Sequence, residues 1–172
     1  MYKKIYEMSE IEDLIEEVEA LSRDVFKVYC TSGGFDPIHV GHVRCIRETA
    51  KMCSEKDRGI LVVIVNGDGF LQRKKGYSFM SHSERMEIVS EIEGVDYVLG
   101  WDDGSQFVTE AIRKLAPDYF TKGGDRNNAS NVPEFDLCKE IGCKVLFNIG
   151  GGKVQSSSEL AANVLKQLEK ES

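Results

Sequence analysis

The sequence predicts an α/β fold: a doubly wound parallel sheet of five strands, with an extra helix at the N-terminus. Three observations predict it. From Val25 onward, apolar runs of strand length alternate with segments of helical periodicity, the order of a parallel sheet with right-handed crossovers. The run Ile60 to Val65 is apolar without interruption, as in strands covered on both faces. Glycines gather after strand ends, at Gly33-Gly34, Gly67 and Gly69, Gly123-Gly124 and Gly150-Gly151-Gly152. A phosphorylated ligand bound at the carboxyl ends of the strands needs close backbone approach at such places. Together these describe a Rossmann-like architecture.

Each element has its own signal. Ser9 followed by Glu12 has the form of a capping box. After it, Ile11, Leu14, Ile15, Val18 and Leu21 recur at helical spacing, so residues 9–22 read as an amphipathic helix with an acidic outer face. Val25 to Thr31 reads as a strand and 41–54 as a helix. Ile60 to Asn66 is the next strand. The stretch Arg73-Lys74-Lys75 reads as part of a mobile loop, which ends where Ser81-His82-Ser83-Glu84 forms a second capping box and opens a helix to about Glu93. Val95 to Leu99 is a strand, and 105–115 a helix that stops before Pro117. Tyr119 to Thr121 is a short strand, 133–141 a helix, Cys143 to Asn148 a strand and 157–170 a closing helix. The chain divides into an N-terminal acidic extension, 1–24, and a body, 25–172.

Charge sharpens that division. The 172 residues carry a formal charge of −7. The first 24 hold eight acids against three bases, or −5, and the remaining 148 hold only −2. A body so near neutrality is not built for duplex nucleic acid, whose binding rests on many phosphate contacts. A local basic pocket for one small anion is compatible with it. The longest strongly apolar run, Ile60 to Val65, is far short of a membrane span of about 20 residues. The charged, amphipathic N-terminus has no signal-peptide core. Five cysteines, Cys30, Cys45, Cys53, Cys138 and Cys143, are odd in number and contain no CxxC. They read as reduced thiols in a cytoplasmic protein without a zinc site or disulfide framework.

The chemistry concentrates in Gly33-Gly34-Phe35-Asp36-Pro37-Ile38-His39-Val40-Gly41-His42, which follows the first strand of the body and opens its first helix. Backbone N–H groups and the dipole of a helix N-terminus favour an anion. Two imidazoles add donors that can follow charge onto a phosphate in a transition state. The plain alternative is a turn with two surface histidines. A metal pair is conceivable, but only His82 remains in the chain and no cysteine cluster stands nearby, so no protein metal site is expected.

Gly34-Phe35-Asp36-x-x-His39-x-Gly41-His42 resembles the signature of the cytidylyltransferase-like nucleotidyltransferases. Further blocks agree in order. Asp68 follows the second strand, as an acid does in many members. Lys74-Lys75-Gly76 precedes the helix that holds Arg85, as in members that activate phosphorylated polyols and sugars. Phe120-Thr121-Lys122-Gly123-Gly124-Asp125 resembles a Val-Lys-Gly-Gly-Asp stretch in the adenylyltransferase domain of ADP-heptose synthase. Ser156-Ser157-Ser158-Glu159-Leu160 resembles the Ser-Thr-Thr-x-Ile motif at the last helix of the family. The resemblance covers about residues 26–170.

What the resemblance implies is transfer of a nucleoside monophosphate from a nucleoside triphosphate, carried with Mg2+, to a small phosphorylated acceptor, by a homodimer. The acceptor oxygen is already anionic near neutral pH, so catalysis is mostly positioning and charge stabilisation. His39, His42, Lys74 and Lys75 are the expected catalytic groups. Gly33, Gly34, Phe35, Asp36, Gly41, Lys122, Gly123, Gly124, Asp125, Ser156, Ser157 and Ser158 are expected at the nucleotide, and Asp68 and Arg85 at the acceptor. Each has a plainer alternative. The Arg73-Lys74-Lys75 run reads as solvated charge, Ser156 as an ordinary cap, Asp36 as a turn former, Asp68 as a helix cap and Arg85 as a surface salt bridge. His82 reads as a passenger of its capping box and Trp101 as a packing residue beside the pocket.

CTP-dependent members acting on glycerol phosphate tend to carry Arg-Tyr-Val-Asp-Glu-Val ahead of the third strand. Here Gly94 stands in place of the arginine, in Glu93-Gly94-Val95-Asp96-Tyr97-Val98, which removes a phosphate clamp. Together with Lys122-Gly123-Gly124-Asp125, this favours ATP and a phosphorylated sugar or polyol. A CTP-dependent enzyme for glycerol phosphate or a related acceptor is the alternative, and a nucleotide-binding regulator without turnover is a further one.

Overall fold

The structure, a computed structural model, describes residues 3–21, 26–124 and 128–171. The chain runs β1 (Ile5–Tyr6), α1 (Ile11–Ala20), β2 (Val28–Gly33), α2 (Val40–Met52), β3 (Ile60–Asn66), α3 (Asp68–Lys75), α4 (His82–Ser90), β4 (Tyr97–Trp101), α5 (Thr109–Leu115), β5 (Tyr119–Gly123), α6 (Phe135–Ile141), β6 (Lys144–Ile149) and α7 (Ser157–Lys170). The strands form one parallel sheet in the order β1-β4-β3-β2-β5-β6. The order reverses at β2, so the switch point where α/β sheets bind ligands lies between β2 and β5. All seven residues of β3 are buried, as its unbroken apolar run requires. Val28, Cys30, Val62, Ile64 and Phe120 pack under α1, α5 and α6, while Tyr29, Leu61, Val63 and Val65 pack under α2 and α4.

The sheet has a sixth strand beyond the five expected. Ile5 and Tyr6 pair with Val98 and Leu99 of β4 and form the sheet edge. Two residues carry no readable period, which is why this strand left no signal in the sequence. The extension is also capped differently from the expectation. The chain enters α1 through a turn at Met8–Glu10, and the Glu10 carboxylate accepts the Glu7 N–H at 2.9 Å. The box expected of Ser9 and Glu12 is therefore replaced by Glu7 and Glu10, and Glu12 pairs instead with Lys114 of α5 at 2.7 Å. Ile11, Leu14 and Val18 bury the apolar face of α1 in the core.

Three boundaries move for identifiable reasons. Residues 68–75 are helical, so Arg73-Lys74-Lys75 is the last turn of α3 rather than a mobile loop. The turn ends at Gly76 with φ +82°, and cations at a helix C-terminus suit its dipole. The strand expected from Val95 starts at Tyr97, because Val95 N–H closes a turn on Ile92 O at 3.1 Å. Trp101 thus lies within β4, buried. The helix expected from 105 starts at Thr109. Before it, Asp103 Oδ1 accepts the Ser105 N–H at 3.0 Å and Ser105 Oγ the Phe107 N–H at 3.2 Å, local bonds that compete with a helical turn. No helix among the described residues is long and apolar enough to cross a membrane.

Candidate active site

A cavity of about 550 Å3 opens over the carboxyl ends of β2, β3 and β5. Its central wall is the loop from β2 to α2. Asp36, buried, accepts the N–H groups of Phe79 at 2.8 Å and Met80 at 2.9 Å. Lys75 Nζ lies 3.3 Å from Asp36 Oδ2 and donates to the Asp36 carbonyl at 2.5 Å. Asp36 therefore fixes the turn by tying the loop to the segment between α3 and α4, the second of its two expected roles. Phe35 takes a left-handed conformation at φ +52° and meets the His42 ring edge-on at 5.1 Å.

The two histidines cap α2 with their own rings. His39 Nδ1 accepts the Gly41 N–H at 3.1 Å, and His42 Nδ1 accepts the His39 N–H at 3.2 Å. The rings stack with centroids 3.8 Å apart. A side chain on residue 41 would bring its Cβ to 2.9 Å from His39 Cε1, so the glycine between the histidines is a steric requirement of the stack. Because each Nδ1 spends its lone pair on a backbone N–H, the proton of each neutral ring sits on Nε2. Burial lowers the pKa of both rings. His42 is held at about 4, by burial first and then by His39 and Lys75 nearby. Near pH 7 the pair is two neutral rings, each with an Nε2–H to donate.

That shift has a measurable consequence for stability. The folded state keeps His42 neutral down to about pH 4, whereas an unfolded histidine protonates near 6.5. The unfolded chain then binds more protons between these values. The His42 contribution is thus intact above pH 6.5 and is lost as the pH falls toward 4. Urea melts from pH 7 to 4 are expected to fall more steeply for the wild type than for His42→Gln; parallel curves would contradict the assignment.

The remaining groups sort clearly. Gly33, Gly34, Phe35, Gly41, Lys122, Gly123, Gly124, Ser156, Ser157 and Lys74 line the cavity together with His39 and His42. Ser156 caps α7 by accepting the Glu159 N–H at 3.3 Å. Ser157 Oγ donates to Pro37 O at 2.8 Å and so clamps the α7 N-terminus against the histidine loop. Gly150, at φ +85°, lies against the backbone of Cys45, where a Cβ would come within 2.6 Å. Ser158 is exposed and outside the cavity wall. Asp125 lies outside the described residues. Lys75 is held by Asp36 rather than standing in the cavity.

Arg85 and Asp68 are also off the wall. Arg85 is fully buried, not a surface ion pair. It donates to Met80 O at 3.1 Å, Gly34 O at 2.8 Å, Asn66 O at 2.5 Å and Asp68 Oδ1 at 2.7 Å. Asp68 Oδ2 accepts the His82 N–H at 3.2 Å, so Asp68 does cap α4. His82 does more than ride in its capping box, since its Nε2 lies 2.9 Å from Val65 O. The structure adds wall residues that the sequence reading did not single out: Asn66, Phe70, Gln106, Phe107, Val108, Pro133 and Glu134. Asn66 stands at a strand end beside the switch point and was findable on that ground. Glu134 carries no sequence signal of its own.

Comparison with known proteins shows the family and the fold. The family model described as cytidylyltransferase-like matches residues 30–141. The chain is 36% identical over 117 residues to the bifunctional protein HldE of Wolinella succinogenes, covering 67% of this chain and 23% of that one. It is 30% identical over 161 residues to the HldE of Syntrophotalea carbinolica, covering 92% and 31%. The chain thus spans less than a third of these relatives. A crystal structure of the lipopolysaccharide core biosynthesis protein from Thermoplasma volcanium shares the fold, with a TM-score of 0.57 at 22% identity over 72% of this chain and 95% of that one. With the histidine pair capping α2 and the family model spanning most of the sheet, the chain belongs to the cytidylyltransferase-like family of nucleotidyltransferases.

Proposed function

We propose that the protein transfers an adenylyl group from ATP to a phosphorylated sugar and releases pyrophosphate. The observation that carries this reading is the pair of stacked, neutral Nε2–H imidazoles at the α2 N-terminus, lining one cavity with the capped N-terminus of α7. An acceptor phosphate oxygen attacks the α-phosphorus, and the bond from that phosphorus to the bridging oxygen breaks. Its electron pair leaves with pyrophosphate. Negative charge then grows on the leaving phosphates, where preorganised N–H donors help most. Lys74 supplies one cation on the cavity wall, which Lys122 and Lys153 also line. Mg2+ enters as part of the nucleotide substrate. Among the described residues no cluster of three or more His, Cys, Asp or Glu offers it a protein site.

The Lys122-Gly123-Gly124 stretch, which resembles that of the adenylyltransferase domain of ADP-heptose synthase and lines the cavity, supports ATP over CTP. Gly94 lies off the cavity wall, at a turn with φ +88° where a Cβ would come 2.4 Å from Ala50 Cβ. Similarity to the HldE proteins supports a phosphorylated sugar as acceptor. Pyrophosphate release should be greatest with ATP and a hexose or heptose 1-phosphate in the presence of Mg2+. Selective release with CTP would replace ATP, and no release with any nucleotide–acceptor pair would remove the enzyme reading. The homodimer belongs to the same proposal, and sedimentation at micromolar concentration checks it; a single monomeric species removes it.

A further inference from the structure

The pleat of the sheet divides the cavity into two lobes. Cys30, Ile64 and Phe120 point into the core beneath α5 and α6. Ser32, Asn66 and Lys122 lie two residues further along the same strands, so they rise on that same face. Glu134, just before α6, and Val108, just before α5, close this lobe. The histidines, Ser156 and Ser157 belong to the other lobe, at the N-termini of α2 and α7.

The α5/α6 lobe contains two buried side-chain oxygens without a hydrogen-bond partner, Asn66 Oδ1 and Glu134 Oε2. Each residue is only 5% exposed and lines the cavity. Native proteins leave few such atoms unpaired, and a ligand is one way of satisfying them. Lys122 balances the charge of Glu134 as an ion pair but leaves Oε2 without a hydrogen bond. Its Nζ donates to Ser32 Oγ at 3.1 Å and stays 3.9 Å from Glu134 Oε2, beyond hydrogen-bond range. Phe70 and Phe107 add aromatic surface to the wall. Acceptor oxygens call for a ligand that brings hydrogens. Phosphate oxygens are themselves acceptors and cannot satisfy Asn66 Oδ1 and Glu134 Oε2, so the ligand's phosphate lies toward Lys74 and the histidines. A hydroxyl-rich moiety beside aromatic faces fits both conditions.

We propose that this lobe is the subsite for the hydroxyl-bearing end of the acceptor, with Glu134 and Asn66 accepting its hydroxyl protons and so selecting sugars over simple phosphates. This rests on the phosphorylated-sugar reading above and deepens it. The test is equilibrium binding by calorimetry, without turnover, of hexose and heptose 1-phosphates, inorganic phosphate and ATP. The near-isosteric Glu134→Gln is expected to weaken the best-bound sugar 1-phosphate about tenfold or more, since a bond to a charged acceptor is lost. ATP and inorganic phosphate should stay within about twofold. Asn66→Leu should show the same pattern at smaller size, and matched melting temperatures establish that both variants fold. In turnover the loss should fall on the acceptor KM. The proposal is overturned if the wild type binds no sugar 1-phosphate, if Glu134→Gln leaves sugar binding unchanged, or if ATP weakens equally, which would assign the carboxylate to the nucleoside. Sugar binding that depends on Glu134 without pyrophosphate release would keep this subsite and sink the adenylyl-transfer reading.

Discussion

His42→Ala should lower kcat by about a hundred- to a thousandfold while leaving the KM for ATP little changed, the size seen when one preorganised donor to a developing anion is removed. The argument is differential binding. A neutral Nε2–H gives little to the ground-state triphosphate and more to the leaving phosphates as charge collects on them. The alanine also deprives the His39 N–H of its 3.2 Å acceptor and removes half of the ring stack. Two substitutions separate these effects. His42→Asn can still accept the His39 N–H through its side-chain oxygen but has no donor at the Nε2 position, so it should be nearly as slow as alanine. His42→Gln extends an amide N–H toward that position and should recover part of the rate. The double variant His39→Ala/His42→Ala should cost less than the product of the single losses, because the rings share a stack and a cap. Steady-state pyrophosphate release measures these four and the single His39→Ala. A His42→Ala rate within a few fold of wild type would take the imidazoles out of the chemistry.

The histidine loop was legible because its function demands rare residue types at fixed spacing, and the parallel sheet because β3 must be apolar on both faces. The basic run after β3 shows where such reading stops. As adjacent letters, Arg73, Lys74 and Lys75 look like one cluster. On a helix, neighbours point about 100° apart and cannot share a face. The structure sends each to different work: Arg73 to Asp102 at 2.6 Å, Lys74 to the cavity wall and Lys75 to Asp36. The acidic extension divides in the same way. Its apolar stripe was readable and is buried in the core, whereas its edge strand and its cap depend on contacts that no local pattern records. Glu134 was invisible for a related reason. A carboxylate oxygen without a hydrogen bond is a property of what surrounds it, and its surroundings come from β2, β5 and α6.

Arg85 carries the largest expected stability effect. The sequence offered it as an acceptor-binding residue or a surface ion pair. The structure places it at zero exposure, joining the carbonyls of Gly34, Asn66 and Met80 to Asp68. Those carbonyls come from the histidine loop, the end of β3 and the entry to α4, so one guanidinium holds three segments in register beneath the cavity. Arg85→Met keeps the apolar stem but strands the three carbonyls, each of which costs about 1–3 kcal/mol if left buried and unpaired. Breaking a buried charged network costs about 3–5 kcal/mol in total. For a chain of this size that lowers Tm by roughly 10 °C. Arg85→Lys retains the charge but has one nitrogen for four acceptors, and should lose most of the same stability. Asp68→Asn should cost much less, because that carboxylate is half exposed and water can solvate Arg85 from its side. Thermal melts of the three variants decide the role. If Arg85→Lys kept the wild-type Tm and instead raised the acceptor KM, Arg85 would be a substrate ligand and the buried bonds described here would be dispensable.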